Sequence, residues 1–311
     1  MNKTSATRVG QEIPKKQRLT KWCLGGLSLL LILTSLSSCS GLFFHPHKIR
    51  VIQPSDVGLS FSEVRIPYAE GEELYGWRLT AKGNLDPKGL ILFLHGNGGN
   101  ISTHLGSVAW LPSKGFEVVT LDYAGYGNSD GEASLTNVHR DAALLFSFFA
   151  AEARVRNIPF YVLGESLGGT VALYSAATLP TVDQPRCLIA VAPFSSYRKI
   201  AREKVGELWL FYPFQWPLGF LVRDSFSPID RIKDLKVTTL LVHGRNDLTV
   251  PYHHSVLLQE GSAEGASLVQ LYSHDEGHDG GHDGTLLNSE IQSEILRYLG
   301  SDRCKEISTL R

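Results

Sequence analysis

The stretch FYVLGESLGG occupies residues 160–169 and predicts a strand, a sharp turn and a helix in succession. Its apolar first half is typical of a buried strand, and the residues that follow it have helical composition. Ser166 lies at the turn, where backbone angles are strained and the residues two positions away on either side must lack bulk. Gly164 and Gly168 meet that requirement. The stretch matches the Gly-x-Ser-x-Gly nucleophile elbow, but in a chain with 30 glycines such a pentapeptide also arises by chance.

Five continuous apolar runs, one of them inside this stretch, alternate with helical segments. Strands that are apolar at every position are buried on both faces, as in a parallel sheet between helices. The runs are Leu90–Leu94, Val118–Leu121, Tyr161–Leu163, Leu188–Val191 and Thr239–Val242, and the helical segments are Ala109–Pro112, Val138–Ala153, Leu167–Thr178 and Leu286–Leu299. Before them, Phe61–Ile66 and Glu73–Leu79 alternate apolar and polar residues, which predicts an antiparallel pair at the sheet edge. The sequence therefore predicts one doubly wound α/β domain over residues 59–300.

One aromatic-rich segment, residues 195–228, interrupts this alternation. Its aromatic residues are Trp209, Phe211, Tyr212, Phe214, Trp216 and Phe220. Any one of them is explained by ordinary core packing. As a group between two strands, they predict a short lid insertion that helps to roof a pocket.

The first 38 residues have the composition of a secretory signal. Basic residues precede an apolar run from Trp22 to about Ser35, and small residues follow it. The sequence Leu-Ser-Ser-Cys ending at Cys39 resembles the bacterial lipobox, in which the cysteine receives lipid and becomes the mature N-terminus. Ser40 follows in place of the aspartate that retains many such proteins at the inner membrane, which implies outer-membrane sorting. The alternative, an uncleaved anchor helix, is disfavoured because a bilayer needs about 20 apolar residues.

These features predict a lipid-anchored protein whose folded domain lies outside the cytosol. Residues 39–58 form a tether in this interpretation, and residues 301–311 form a C-terminal tail. The net charge of −1 and the absence of a long basic run exclude a nucleic-acid partner. Apart from Cys23 in the signal and Cys39, two cysteines remain, Cys187 and Cys304, and their spacing predicts no disulfide.

The serine at the elbow needs a base and an acid to become a nucleophile. In nucleophile-elbow folds these residues follow in the order Ser, Asp, His. Asp247 lies on the turn after the apolar run Thr239–Val242, at the carboxyl edge of the predicted sheet, where sites in parallel sheets are found. We therefore predict Asp247 as the acid, although an aspartate in such a turn is more often a local cap.

Three histidines compete for the role of base after the last predicted strand, which should end near Tyr272. The tail sequence SHDEGHDGGHDG places them at His274, His278 and His282. We predict His278, because it has the Gly-His-Asp context and clears the strand by a few residues, with His282 as the next candidate. A metal site formed by the three is disfavoured, because a spacing of four aligns side chains only on a helix and the intervening glycines oppose a helix.

The oxyanion that develops during acyl transfer needs preorganised donors. One donor should be the backbone N–H of Leu167, directly after the nucleophile. The other should come from the glycine-rich turn His95–Asn100, where Asn97 is in the donor position. The same turn does not bind a nucleotide, because the third glycine of the Gly-x-Gly-x-x-Gly pattern would fall at Ile101.

Taken in order, five motifs resemble those of the α/β-hydrolase superfamily, over roughly Phe61 to Leu299. They are His95-Gly-Asn-Gly-Gly, Asp122-Tyr-Ala-Gly-Tyr-Gly, Gly164-Glu-Ser-Leu-Gly, His243-Gly-Arg-Asn-Asp and Gly277-His-Asp. The chain is most similar to the branch that holds bacterial membrane-tethered serine hydrolases and eukaryotic abhydrolase-domain depalmitoylases. The resemblance implies Ser166, Asp247 and His278 as a triad, with Asn97 and Leu167 as oxyanion donors.

The resulting hypothesis is a serine hydrolase that cleaves an ester, thioester or amide bond through an acyl-enzyme, without a cofactor. The aromatic insertion favours a small-molecule or acylated substrate with an apolar part. Two alternatives remain, a non-catalytic binding protein of the same fold and a peptidase of that fold, because a fold does not select its reaction. The sequence leaves the oligomeric state open.

Overall fold

The computed structural model describes residues 44–83, 86–207, 216, 222–263, 268–275, 282 and 284–305. Ten strands, β1 to β10, span His45–Pro46, Phe61–Ala69, Glu72–Leu79, Leu90–Leu94, Gly98–Gly99, Glu117–Leu121, Phe160–Glu165, Cys187–Val191, Thr239–Gly244 and Val269–His274. Seven α-helices in these residues, α1 to α7, span Leu105–Val108, Leu135–Val155, Leu167–Thr178, Tyr197–Glu207, His253–Gly261, Ser289–Leu299 and Asp302–Lys305. Short 3-10 helices cover Pro54–Val57, Pro112–Lys114, Thr181–Asp183, Pro228–Asp230, Ile232–Asp234 and Thr285–Leu287.

Eight strands form one twisted sheet in the order β10-β9-β8-β7-β4-β6-β3-β2. The six strands from β10 to β6 are parallel to their neighbours, and β3 is antiparallel to both β6 and β2. The predicted fold class and the antiparallel pair at the edge are therefore confirmed. Two short strands, β1 and β5, pair separately, and the sequence did not predict them.

The continuous apolar runs form the sheet because each is buried on both faces. In β4 every residue is buried: Leu90, Leu92 and Leu94 belong to one hydrophobic cluster, and Ile91 and Phe93 to the other. Helices α2 and α3 contribute to the first cluster, and α1 and α6 contribute to the second. Burying apolar area on both faces stabilises the sheet by about 25 cal/mol per Å². This layered core places the carboxyl ends of the parallel strands, and the loops after them, along one edge.

Several element boundaries differ by a few residues from the sequence prediction, and two of the differences have a bearing on the fold or the site. The predicted helix at Ala109–Pro112 is replaced by α1 before it and a 3-10 helix that begins at Pro112. Proline lacks a backbone N–H and is tolerated only in the first turn of a helix, so it starts a new turn here. The last strand continues to His274, two residues past the predicted end at Tyr272.

Cys187 and Cys304 form a disulfide, which the sequence analysis did not predict. Both are fully buried, and their Cα atoms lie 5.5 Å apart although 117 residues separate them in sequence. The bond joins the start of β8 to α7 near the end of the described chain.

Several predicted features lie on residues that the structure does not describe. The signal, Cys39 and the lid aromatics other than Trp216 all lie there. Trp216 is 58% exposed and stacks under the guanidinium of Arg202, 4.1 Å from the ring centre. Among the residues that the structure describes, no helix is both long and apolar enough to cross a membrane.

Candidate active site

Ser166 lies at the junction of β7 and α3 in a backbone conformation that residues with side chains rarely adopt. Its φ is 53° and its ψ is −113°, and such strain is often found at functional sites. The turn is possible because its glycines lack a Cβ: one at Gly168 would lie 2.0 Å from the Leu94 carbonyl oxygen, and one at Gly164 would lie 2.5 Å from the carbonyl oxygen of Gly168. The stretch thus forms the strand–turn–helix elbow that its sequence predicts.

His282 occupies the position next to Ser166. Its Nε2 lies 3.0 Å from Ser166 Oγ, and its Nδ1 lies 2.7 Å from Asp247 Oδ2. Nδ1 carries the ring proton and donates a hydrogen bond to the carboxylate. Nε2 is then unprotonated and can accept the hydrogen bond of the serine hydroxyl. The imidazole is only 8% exposed, which limits the competition of water for these hydrogen bonds. The three side chains therefore have the connectivity of a Ser-His-Asp triad.

The position predicted for His278 is thus taken by His282, and the sequence assignment of the base is corrected. His278 lies outside the described residues. The sequence did not separate the two candidates, because Gly277-His-Asp and Gly281-His-Asp are equivalent contexts, and the last strand ends at His274, two residues later than predicted. His282 is then followed by a 3-10 turn, in which Thr285 Oγ1 donates to the His282 carbonyl at 3.3 Å.

Asp247 lies on the turn after β9, where the sequence predicted it. Its Oδ1 accepts backbone N–H groups of Thr249 and Val250, both at 2.8 Å, and its Oδ2 accepts from His282. Burial by itself raises the pKa of this carboxyl, but hydrogen bonds from His243 and His282 outweigh burial and hold the pKa well below its ordinary value. Asp247 therefore stays anionic and fixes the tautomer of its histidine partner.

His243 is a site residue to which the sequence analysis gave no role. It is fully buried, and its Nδ1 lies 2.6 Å from Ser255 Oγ. Its Nε2 lies 2.8 Å from the Val250 carbonyl and 3.4 Å from Asp247 Oδ2. The ring therefore ties the end of β9 to the turn that carries the acid. The sequence feature that could have indicated this role is the position of His243 in the motif His-Gly-Arg-Asn-Asp, four residues before the predicted acid.

The predicted oxyanion donors lie on two segments that touch each other. Leu167 is the first residue of α3, where backbone N–H groups have no partner within the helix. The elbow packs against the end of β4 at Gly168, and the loop with Asn97 begins there. The Asn97 side-chain oxygen is an acceptor, since it lies 2.9 Å from the Tyr126 hydroxyl and 3.3 Å from the His45 backbone nitrogen. These contacts fix the side chain of Asn97 against β1 and the turn after β6.

A second ionisable pair, also missed by sequence reasoning, lies directly beside the nucleophile. The Glu165 carboxylate accepts from Ser107 Oγ at 2.9 Å and lies 3.1 Å from His104 Nδ1. The other ring nitrogen, His104 Nε2, lies 2.8 Å from the carbonyl oxygen of Gly98. Both ring nitrogens face acceptors, and the imidazolium form satisfies both by donating twice. The pair therefore connects the residue before Ser166 to the loop that carries Asn97.

Within the described residues, one group has the composition of a metal site: Glu203, His253 and His254. However, Lys199 Nζ lies 3.1 Å from Glu203 Oε1. His254 Nδ1 accepts the backbone N–H of Ser195 at 3.1 Å, which leaves the ring proton on Nε2, 2.9 Å from Glu203 Oε2. A protonated ring nitrogen cannot bind a metal, so the group is an ion-pair network rather than a metal centre.

Comparisons with known proteins agree with the fold and the elbow. The family described as "Serine aminopeptidase, S33" matches residues 85–216. Among curated proteins, "Uncharacterized protein YfhR" of Escherichia coli is 28% identical over 213 residues, covering 68% of this chain and 71% of that protein. "Lysophosphatidylserine lipase ABHD12" of Gallus gallus is 33% identical over 187 residues, covering 57% of this chain and 48% of the lipase. The chain thus spans about half the length of the lipase relative.

Solved structures support the same fold. The Pyrococcus furiosus esterase Pf2001 superposes with a TM-score of 0.66 at 16% sequence identity, covering 82% of this chain and 97% of the esterase. Est1E from Butyrivibrio proteoclasticus superposes with a TM-score of 0.56 at 19% identity over 77% of this chain. The chain is therefore a member of the α/β-hydrolase superfamily, and the similar proteins whose names give an activity are hydrolases.

Proposed function

We propose that the protein is a serine hydrolase that cleaves a carboxylic ester or thioester through an acyl-enzyme on Ser166. The observation that carries this proposal is the hydrogen-bonded chain from Ser166 Oγ through His282 to Asp247, with heavy-atom distances of 3.0 and 2.7 Å. It occurs at an elbow whose strained turn presents the serine. A non-catalytic binding protein would not need a base in contact with that hydroxyl.

In the acylation step, Ser166 Oγ attacks the substrate carbonyl while His282 Nε2 takes the hydroxyl proton. Asp247, which remains anionic, stabilises the imidazolium that forms. The carbonyl oxygen becomes an oxyanion held by the backbone N–H of Leu167 and, we propose, by that of Asn97, whose side-chain oxygen already accepts two other groups. His282 then gives the proton to the leaving group.

In the deacylation step, a water molecule replaces the leaving group. His282 accepts a proton from the water as it attacks the acyl carbon, and the same two N–H groups stabilise the second oxyanion. The collapse of that intermediate returns the proton to Ser166 and releases a carboxylic acid. The cycle needs only side chains and backbone groups of this chain together with water.

The preference for an ester or thioester with an apolar acyl part rests on the names of similar proteins and on the aromatic content of residues 195–228. The lipase and esterase names of the relatives favour such substrates, and the aromatic-rich insertion would supply an apolar lining. The match to a family described as serine aminopeptidase favours amide cleavage as the second candidate. A panel of substrates with one acyl group and three leaving groups, an alcohol, a thiol and an amine, separates these two reactions.

The first experiment is covalent labelling with a fluorophosphonate probe. We expect wild-type protein to be labelled, and Ser166→Ala and His282→Ala to lose labelling and at least about a thousandfold in kcat for a p-nitrophenyl ester. His278→Ala and His274→Ala are the matched controls, because each removes a competing histidine and leaves Ser166, His282 and Asp247 unchanged. Both should keep their activity within about threefold.

Two results would contradict the proposal. Labelling that persists in Ser166→Ala would show that another residue reacts, and an unlabelled but folded wild type would favour the binding protein. If His278→Ala lost activity while His282→Ala kept it, the base would be the residue named from the sequence.

A further inference from the structure

The segment from His45 to Val51, here called the strap, runs along the glycine-rich loop His95–Asn100. Its first two residues form β1, which pairs in parallel register with β5, the pair Gly98–Gly99 of that loop. The pairing continues by one residue, because the His47 N–H donates to the Gly99 carbonyl at 2.9 Å. Residues inside the predicted tether, 39–58, thus add a strand to the loop that would hold the oxyanion.

Two side chains on the loop side lock the rest of the strap in place. Asn100 Nδ2 donates to the backbone carbonyls of His47 and Ile49 at 2.9 and 2.8 Å. Ser102 Oγ accepts the Val51 N–H at 3.0 Å and donates to Asn100 Oδ1 at 2.6 Å. Asn100 is 2% exposed, so its two donors would be costly to leave without partners.

The strap also reaches Asn97 and the turn behind it. The His45 N–H and the Tyr126 hydroxyl both approach Asn97 Oδ1, at 3.3 and 2.9 Å. On the same side, the Gly127 N–H donates to the His47 carbonyl at 3.0 Å. Asn97 is therefore held between the strap and the turn that follows β6.

A glycine-rich loop has little side-chain packing of its own and loses more conformational freedom on ordering than other chain segments. An oxyanion hole stabilises a transition state only when its donors are already in place. The contacts that fix this loop include those from the strap, from the Tyr126 turn and from His104, together with the Tyr123 hydroxyl, which donates to the His95 carbonyl at 3.1 Å. The strap is the one among these that carries backbone pairing into the loop.

We propose that the strap is a positioning element of the oxyanion hole, which holds the backbone of Gly96–Gly98 so that Asn97 can donate to the developing oxyanion. The proposal rests on the proposed function, since it needs an acyl-transfer reaction at Ser166. It makes residues of the predicted tether part of the catalytic apparatus, through the backbone that they hold in place.

The test replaces Asn100, whose side-chain amide donates to the strap, by a residue of the same size. In Asn100→Asp, the two N–H donors become an oxygen that faces the carbonyls of His47 and Ile49. With the full-length protein and a p-nitrophenyl ester, we expect kcat to fall by about ten- to hundredfold, while KM changes by less than about twofold. A trifluoromethyl ketone, whose adduct with serine places an oxyanion in the hole, should lose affinity by the same factor as kcat/KM.

The matched control is Asn137→Asp, where the same change removes a donor to the Glu132 carbonyl at 2.8 Å in the turn before α2. It should keep wild-type kcat and inhibitor affinity. Ser102→Ala is a milder variant for the case that Asn100→Asp does not fold, with an expected fall in kcat of about three- to tenfold and the same parallel loss of inhibitor affinity.

Labelling of wild-type Ser166 is measured first, because its absence would remove the reaction itself and overturn both proposals. With labelling intact, unchanged kcat in a folded Asn100→Asp protein would overturn the strap proposal alone. So would a loss of kcat without a loss of inhibitor affinity, because the defect would then not concern the oxyanion.

Discussion

At the scale of single residues, Glu165 and His104 form a hydrogen-bonded contact, 3.1 Å long, between the nucleophile turn and the oxyanion loop. Glu165 is the variable residue before the serine in the elbow pattern, so the motif itself places no requirement on it. Its carboxylate is nevertheless 7% exposed and has two partners, His104 and Ser107. Charge-assisted hydrogen bonds in such surroundings are about twice as strong as neutral ones.

Replacing Glu165 by glutamine should therefore disturb the position of the loop His95–Asn100 more than it lowers the stability of the fold. We expect Glu165→Gln to lower kcat by about tenfold, because losing a charged hydrogen bond costs about 1.5–3 kcal/mol, part of which loosens the loop. Steady-state kinetics and thermal unfolding of the same samples check this. Glu207→Gln is the control, since it removes the charge of an exposed carboxylate 2.8 Å from Lys204. Equal kcat in both variants would contradict a role for the Glu165 contact.

The histidines show why residue assignments from this sequence had different outcomes. Ser166 and Asp247 each follow an apolar strand at a fixed place in the motif, so strand recognition positioned both. The base follows a loop in which His278 and His282 have equivalent Gly-His-Asp contexts. His278 was chosen for its distance from a strand end expected at Tyr272, and the structure places that end two residues later, at His274.

At the scale of elements, the sequence predicted the parallel strands because double-sided burial gives continuous apolar runs. The short β1 and β5 have no such pattern, since their pairing rests on backbone hydrogen bonds at an exposed, glycine-rich edge. The disulfide was also out of reach, because the 117 residues between Cys187 and Cys304 carry no information on distance. Contacts between elements that are distant in sequence need the three-dimensional fold.

The disulfide leads to a prediction about the C-terminal elements. A cross-link that closes a loop of this length stabilises a protein by roughly 2–4 kcal/mol, mainly by restricting the unfolded chain. We expect a reducing agent to lower the free energy of unfolding of the wild type by about that amount. Activity below the unfolding temperature should persist, because Cys187 begins β8 whereas Val191, at its other end, contacts the Ser166 amide.

Urea unfolding with and without the reductant measures this effect. The Cys304→Ala protein is the control, because it lacks the bond and should not respond to reductant. A wild type that unfolds at the same urea concentration under both conditions would contradict the stabilising role of the disulfide.

At the scale of the whole molecule, the disulfide and the predicted lipid anchor both favour export. Disulfides persist in oxidising compartments and are rare in the cytosol. Cys39 precedes the first described residue, Phe44, by five positions. A lipid-anchored enzyme of this design would act on substrates at the membrane surface.

This interpretation predicts a specific loss in Cys39→Ser. Labelled fatty acid should enter the wild type and the Cys23→Ser control, whose cysteine lies in the signal, but not Cys39→Ser. The variant should keep its kcat on a water-soluble ester, because the strap and the Ser166–His282–Asp247 chain are unchanged, and should lose activity on the same acyl ester carried in vesicles. Lipidation adds about 0.8 kcal/mol of membrane binding per buried CH₂, so losing the lipid should lower this activity by about tenfold or more at low vesicle concentration. Fatty acid incorporation that survives in Cys39→Ser, or membrane attachment that survives without incorporation, would favour the uncleaved anchor helix, since such a helix holds the domain at the membrane without the thiol.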